Sequence, residues 1–301
     1  MKQNTLKSKH TFEGRGLHTG KYARMTVCPA ETGTGIVFIR TNIGRDAVIP
    51  ALAENISSTA RSTTISCGGA SVSTIEHIMS ALTGLGVDNA IVEIDGEEVP
   101  ILDGSARLYV EAFLQDGLVS QDADRVWLTI PHEIEVNDPK SGAYVRITPA
   151  DAASIDLTVD FNSRVLGVQS SHWDCDTDYA AELGSCRTFV FFHEIAFLAQ
   201  QGLVKGGDID NAIVIVEHPV TDEQVEQVCT LLDKPRLTVT SDGYLDNVRL
   251  RFPDECGRHK LLDLIGDMRL AGGYLLAKIT AFKSGHTINS LATKAIREAI
   301  R

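Results

Sequence analysis

No two of the six cysteines (Cys28, Cys67, Cys175, Cys186, Cys229 and Cys256) form a C-x-x-C pair, so a thiolate zinc knuckle is not expected. Six are also too few, in a chain of 301 residues, for a disulfide framework. Basic charge is in deficit: 28 Lys and Arg stand against 40 Asp and Glu, giving a net charge of −12. General nucleic-acid binding needs a basic footprint and is excluded on that ground. A few local Lys or Arg still suffice to hold an anionic small substrate. No stretch approaches the ~18 apolar residues of a membrane span. Met1-Lys2-Gln3-Asn4-Thr5 lacks the apolar segment of a signal peptide, so the cytoplasm is the expected compartment. Gly14-Arg15-Gly16-Leu17-His18-Thr19-Gly20 matches neither G-x-G-x-x-G nor a P-loop, and alone argues little for phosphate binding. The composition that remains, 43% hydrophobic and 23% charged, is that of an ordinary soluble globular protein of two domains or one large one.

The pattern along the chain is mixed α and β. In the first part, Ala47–Ile49 and Ala90–Ile94 read as strands and 74–85 as a helix, stopped by Gly84-Leu85-Gly86. Asp103-Gly104-Ser105-Ala106 reads as a turn leading into a helix over Leu108–Leu114. The polar segment 120–124 marks the expected division, into an N-terminal domain of residues 1–122 and a C-terminal domain of 123–301. The second part offers strands at Val126–Ile130, His132–Val136, Tyr144–Ile147, Ile155–Val159, Ala212–Val216 and Tyr274–Phe282. It offers helices at Phe189–Gln201, stopped by Gly202, at 255–271 with Asp254 as N-cap, and at Ile288–Ile300. Strands followed by helices in each half point to an α+β fold rather than a doubly wound parallel sheet.

Two runs carry chemistry. In Arg258-His259-Lys260-Leu261-Leu262-Asp263, His259 and Asp263 stand at i and i+4 and leave one face of a helix. Asp267 extends the stripe to i+8, on a helix otherwise rich in Leu261, Leu262, Leu264, Ile265 and Met268. Ionised groups on so apolar a helix are costly unless paired or metal-bound. The plainer alternative is an exposed face paired with Arg258, Lys260 or Arg269. In Ser73-Thr74-Ile75-Glu76-His77, His77 offers a third ligand, and three protein ligands suit a catalytic zinc ion. Glu76 then stands where a base would take a proton from the attacking water. Its plainer reading is a capping box, Ser73-x-x-Glu76. Lys283-Ser284-Gly285-His286 places a histidine at a strand end, with Asp267 able to fix its tautomer. The plainer reading of His286 is a solvent-exposed loop histidine.

Taken together, these motifs resemble the zinc-dependent UDP-3-O-acyl-N-acetylglucosamine deacetylases of lipid A biosynthesis in Gram-negative bacteria. The resemblance covers nearly the whole chain. It runs through Gly16–Gly20, Ser73–Leu82, Gly86-Val87-Asp88-Asn89, Pro100–Ala106, Arg187-Thr188-Phe189, Gly202–Gly207, Arg258–Asp267 and Lys283–His286. It implies two similar halves, each a β-sheet layered with two helices, packed into a sandwich with the active site between them. Each half would carry a small insert, the second, near 190–216, forming an apolar passage for the substrate's acyl chain. The implied zinc ligands are His77, His259 and Asp263, one ion per chain, with Glu76 as general base. His286 would be the acid or electrostatic partner, oriented by Asp267, and Thr188 the hydroxyl at the oxyanion. Lys260 would meet the diphosphate, Asp160 and Phe161 the uracil, and Phe189 the sugar. The implied reaction releases acetate from the N-acetyl group of the UDP-linked substrate, in a monomer. Cys256-Gly257 departs from the pattern, where bulkier residues are expected before Arg258. Two rivals differ in kind: a zinc amidohydrolase for another acyl-amide, and a non-catalytic nucleotide-sugar or lipid-binding module with a structural metal. A structural zinc would need a fourth protein ligand, and the sequence offers no obvious one.

Overall fold

The chain folds, in a computed structural model that describes residues 1–200, 205–207, 211–231, 235–247 and 249–301, around two five-stranded sheets of the same topology. In the first, the order is His10–Arg15, Tyr22–Pro29, Ala90–Ile94, Ile36–Arg40, Val48–Pro50. In the second it is Ile134–Asp138, Ala143–Pro149, Ala277–Phe282, Ser154–Asp160, Val168–Asp174. Both run antiparallel, antiparallel, parallel, antiparallel across their neighbours. In both, the strand that comes last in the chain takes the centre. Alternation sets one apolar face: Ile155, Leu157 and Val159 of Ser154–Asp160 are buried and the residues between them are not.

The helices are α1 (Glu76–Gly84), α2 (Arg107–Asp116), α3 (Tyr179–Glu182), α4 (Phe192–Gln200), α5 (Asp222–Leu231), α6 (Glu255–Met268) and α7 (His286–Ala299). Helices α1 and α2 serve the first sheet, and α6 and α7 the second. Helices α1 and α6 pack directly on each other, joining the halves in one hydrophobic core. That contact explains their composition. Every residue of α1 from Glu76 to Thr83 is buried, and so is every residue of α6 except Arg258 and Lys260. A fully buried Ile78 or Leu82 stabilises by about 1.5–3 kcal/mol. Gly266 permits the close approach, because a Cβ there would lie 2.1 Å from the Glu76 carbonyl oxygen. Among the described residues no helix is long and apolar enough to cross a membrane.

Each half carries an insert. The first is a three-stranded sheet of Ile56–Ser58, Thr64–Cys67 and Ala70–Val72. The second pairs Phe189–Phe191 in parallel with Ile213–Ile215, with α4 between them in the chain. The expected helix over Phe189–Gln201 is therefore corrected at its start: Phe189-Val190-Phe191 is a strand. Aromatic and β-branched residues favour that pairing, and a short apolar run does not distinguish strand from helix by periodicity. The expected stop at Gly202 lies outside the described residues. Strand Tyr274–Phe282 is broken at Leu276, and the expected strand Val126–Ile130 shortens to Trp127–Leu128, parallel to Tyr274–Leu275. The polar segment 120–124 is part of a strand, Leu118–Asp124, antiparallel to Lys2–Leu6. Asp254 stands before α6 without a capping hydrogen bond, since its carboxylate accepts from Arg258 Nε at 2.8 Å instead. The departure at Gly257 has a local cause: its N–H donates to Gln169 Oε1 at 2.7 Å, and a Cβ would strike that side chain.

Candidate metal centre and active site

The α1–α6 crossing brings together residues 182 positions apart or more. Helix α1 begins at Glu76, after Thr74 takes a left-handed backbone conformation (φ 59°). Ser73 is not its cap. The Ser73 N–H and Oγ both donate to the Glu97 carbonyl, at 3.0 and 3.2 Å. Glu76 does not reach back to Ser73 either, because its Oε2 accepts the Thr63 N–H at 3.0 Å. The capping-box reading therefore fails, and the Glu76 carboxylate is turned inward, 3% exposed.

His77, His259 and Asp263 converge and are all buried, each offering a ligand atom within 4.8 Å of the others. His77 Nε2 is 3.6 Å and His259 Nε2 3.4 Å from Asp263 Oδ1. Donors about 3.3 Å apart span the edge of a tetrahedron whose centre is ~2.0 Å from each, the bond length of zinc to N and O ligands. The His259 Nδ1–H donates to the Cys186 carbonyl at 3.0 Å, which leaves Nε2 as the lone pair facing Asp263. Burial holds the pKa of His259 below the ordinary histidine value, and burial together with His259 pulls His77 down to about 3, so both rings are neutral at pH 7. Asp263 Oδ2 accepts from Lys260 Nζ at 2.6 Å, while Oδ1 is buried with no hydrogen-bond partner among the described residues. Burial opposes ionisation of Asp263, but His259 and Lys260 outweigh it and hold the group well below the usual carboxylate range. An ionised buried oxygen without a partner costs about 1–3 kcal/mol or more. A cation between the three groups supplies the missing partner, so the residues fit a zinc ion.

Beside this cluster lie the other ionisable groups. Burial raises Glu76 to about 7. Burial alone would depress His286, but the neighbouring Asp267 and Glu76 carboxylates lift it to about 9. The His286 Nδ1–H donates to Asp267 Oδ2 at 2.9 Å, and its Nε2 stands 3.9 Å from Glu76 Oε1 and 3.9 Å from Asp263 Oδ2. His286 is the first residue of α7 and not a solvent-exposed loop histidine, its side chain being 10% exposed. The sequence stripe of His259, Asp263 and Asp267 thus splits between two jobs, two members facing the cluster and one holding His286.

A cleft of about 310 Å³ opens onto these groups and is walled by Leu17, His18, Arg61, Phe161 and Phe189 among others. Thr188 lines it too, and its N–H donates to the Gly104 carbonyl at 2.8 Å. Phe189 stands edge-on to His259 at 6.3 Å and to Phe161 at 5.4 Å. Lys260 lines the cleft while one of its three N–H donors pairs with Asp263 at 2.6 Å. Asp160 is set back from the wall, accepting from Asn162 N–H at 2.9 Å and pairing with Lys283 at 3.2 Å. Sequence reasoning missed Thr63 and Asn289, which contact Asp267, and Glu98. The Glu98 carboxylate takes the His18 and Thr19 N–H groups at 2.9 and 2.8 Å, and Gly16 leaves room for it. The glycines before His18 thus shape the cleft rim around Glu98. That local run, G-x-G-L-H-T-G, was visible in the sequence, but its partner was not.

Comparison with known proteins finds relatives across nearly the whole chain. The family model described as LpxC, UDP-3-O-acyl N-acetylglycosamine deacetylase, matches residues 3–228 and 233–298. A bifunctional enzyme LpxC/FabZ from Porphyromonas gingivalis is 40% identical over 300 residues, covering 100% of this chain and 65% of the relative. The chain thus spans just under two thirds of the length of that bifunctional relative. A UDP-3-O-acyl-N-acetylglucosamine deacetylase from Myxococcus xanthus is 40% identical over 95% of this chain and 83% of its own length. One from Helicobacter hepaticus is 37% identical over 98% and 90%.

Proposed function

The chain belongs to the UDP-3-O-acyl N-acetylglycosamine deacetylase family, and we propose that it hydrolyses the N-acetyl group of a UDP-linked, 3-O-acylated N-acetylglucosamine in lipid A biosynthesis. The observation that carries this reading is the buried convergence of His77, His259 and Asp263, with Asp263 Oδ1 left without a partner among the described residues, beside Glu76 and His286. These three residues would hold one zinc ion. Bound zinc supplies Lewis-acid chemistry and lowers the pKa of water. Glu76 Oε2 is anchored by Thr63, so Oε1 is the oxygen that takes the proton of the attacking water. The water oxygen bonds to the acetyl carbon, and the Thr188 hydroxyl donates to the oxygen on which charge develops. The C–N bond then breaks. The departing amine takes a proton from His286 Nε2 or from the protonated Glu76, leaving acetate and the free amine.

The substrate lies along the cleft. Lys260 meets the diphosphate, Phe161 with Asp160 takes the uracil, and Phe189 lies against the sugar. Val190 and Phe191, in the cleft wall, open the passage for the acyl chain. The reading is tested by acetate release from the UDP-linked substrate, with and without a chelator and against the same sugar lacking UDP. Chelator-sensitive release that depends on UDP is expected. Release unaffected by removal of all metal would overturn the zinc reading, and equal turnover of the unlinked sugar would overturn the substrate.

A further inference from the structure

Thr63 is not among the residues that wall the cleft, yet it touches both groups assigned to move protons. Its backbone is fastened to the start of α1: its N–H donates to Glu76 Oε2 at 3.0 Å and its carbonyl accepts from the Ile75 N–H at 3.4 Å. Its side chain crosses to the other half of the molecule. The Thr63 hydroxyl lies 2.6 Å from Asp267 Oδ1 and 3.3 Å from His286 Nδ1. A carboxylate only accepts, so the single hydroxyl proton goes to Asp267. We infer that Thr63 is a positioning residue, which fixes the base Glu76 and the Asp267–His286 pair relative to each other across the joint between the halves.

The argument is one of occupancy. Asp267 is 2% exposed, and its hydrogen-bond partners come from both sides. Oδ2 takes the His286 Nδ1–H at 2.9 Å and Asn289 Nδ2 at 2.8 Å, both from α7. Oδ1 takes the Thr63 hydroxyl, from the first insert. With both oxygens filled, the carboxylate cannot turn, and the imidazole that donates to it is held in one plane and one tautomer. The 3.9 Å between His286 Nε2 and Glu76 Oε1 is too long for a direct hydrogen bond. Both atoms therefore face a shared space, and Thr63, itself 1% exposed, is bonded to the groups on either side of it. Removing the hydroxyl leaves Oδ1 buried without its donor and frees the ring to move.

This inference rests on Glu76 and His286 carrying protons in the proposed reaction, and the experiment separates the two. Thr63→Val removes the hydroxyl and keeps the backbone bonds; Thr63→Ser keeps both. Loss of an outer hydrogen-bond partner of this kind costs about 10–100-fold in activity. That loss is expected in kcat for the Val variant, with KM nearly unchanged and zinc content full by elemental analysis. The Ser variant should recover most of the rate. The downfield Nδ1–H resonance of His286 should disappear in Val and persist in Ser, whether or not substrate turns over. A wild-type enzyme that releases no acetate would strike the functional reading while leaving that resonance as the test of positioning. Thr63→Ala, measured alongside, removes the hydroxyl without adding a methyl group should the Val variant fail to fold. Wild-type kcat in a folded Val or Ala variant, or a Ser variant as slow as Val, would overturn the inference.

Discussion

At the scale of single residues, Glu76 and His286 differ in what their surroundings do to them. Burial dominates Glu76 and favours its neutral form, raising it to about 7. His286 is equally enclosed, but two carboxylates beside it keep it charged up to about 9. A base must be deprotonated and an acid protonated, so kcat/KM should rise as pH passes the Glu76 value and fall as it passes that of His286. A divalent cation in the adjacent cluster favours the carboxylate and disfavours the imidazolium, which moves both limbs to lower pH. His286→Ala should lose the alkaline limb if His286 protonates the leaving amine. An alkaline limb unchanged in that variant would assign the proton to Glu76. Glu76→Gln should keep its zinc and lose about 10²–10⁴-fold in kcat, the usual cost of losing a general base. A Gln variant with wild-type kcat would remove Glu76 from the chemistry, and the inward-turned carboxylate would then need another explanation.

At the scale of elements, the α1–α6 crossing is the feature on which the site depends, and Gly266 is its narrowest point. Propensity alone says that Gly266→Ala in a helix interior should stabilise by up to about 1 kcal/mol. The packing says the reverse, because the new Cβ would meet backbone, the Glu76 carbonyl at 2.1 Å and the Ser80 nitrogen at 3.1 Å. Overpacking of this kind costs about 1–3 kcal/mol. The variant should lower Tm and zinc content together, since separating the helices also separates His77 from His259 and Asp263. A rise in Tm with full zinc would show that the crossing tolerates a methyl group. The two helices were legible in the sequence from apolar periodicity, and the shared face of His259 and Asp263 from their i, i+4 spacing. Ala90–Ile94 was legible to the residue, as a run bounded by turn signals. Thr63 was not, because its partner Asp267 lies 204 residues away and no local pattern marks such a contact. The alternative Ser73-x-x-Glu76 capping box fails because Thr74 leaves the helical region and Glu97 takes both Ser73 donors. The strand Phe189–Phe191 was misread because its apolar run continues unbroken into α4. In that helix Ile195 is buried and Phe197 is 58% exposed, so it is not core all round. If the segment lines an acyl passage, shortening the 3-O-acyl chain should lower kcat/KM by up to ~0.8 kcal/mol per methylene. A flat series would leave α4 as a cover for the second insert's own apolar cluster.

At the scale of the whole molecule, one buried cluster joins the two halves: His77 comes from α1 of the first, His259 and Asp263 from α6 of the second. A ligand that binds only the folded state stabilises it by mass action, by about 2.7 kcal/mol at a hundredfold excess over Kd. For a chain of this size one kcal/mol moves Tm by about 1.5–2 °C. Stripping the metal from the wild-type protein should therefore lower Tm by several degrees, and adding zinc should restore it. The halves already share a continuous hydrophobic core, so the stripped protein should remain folded rather than melt into separate halves. Asp263 decides how far Tm falls, because without a cation its Oδ1 is buried and has no partner among the described residues. Asp263→Ala removes that unpaired charge and, with it, much of the affinity. Chelator should then have little further effect on Tm, although activity is already lost. His77→Ala should differ: it weakens binding but leaves the carboxylate in place, so its Tm should fall below that of Asp263→Ala. Elemental analysis of each sample confirms how much metal is present. A wild-type Tm indifferent to complete metal removal would mean that the three groups do not share an ion in the folded state, and that another partner satisfies Asp263 Oδ1.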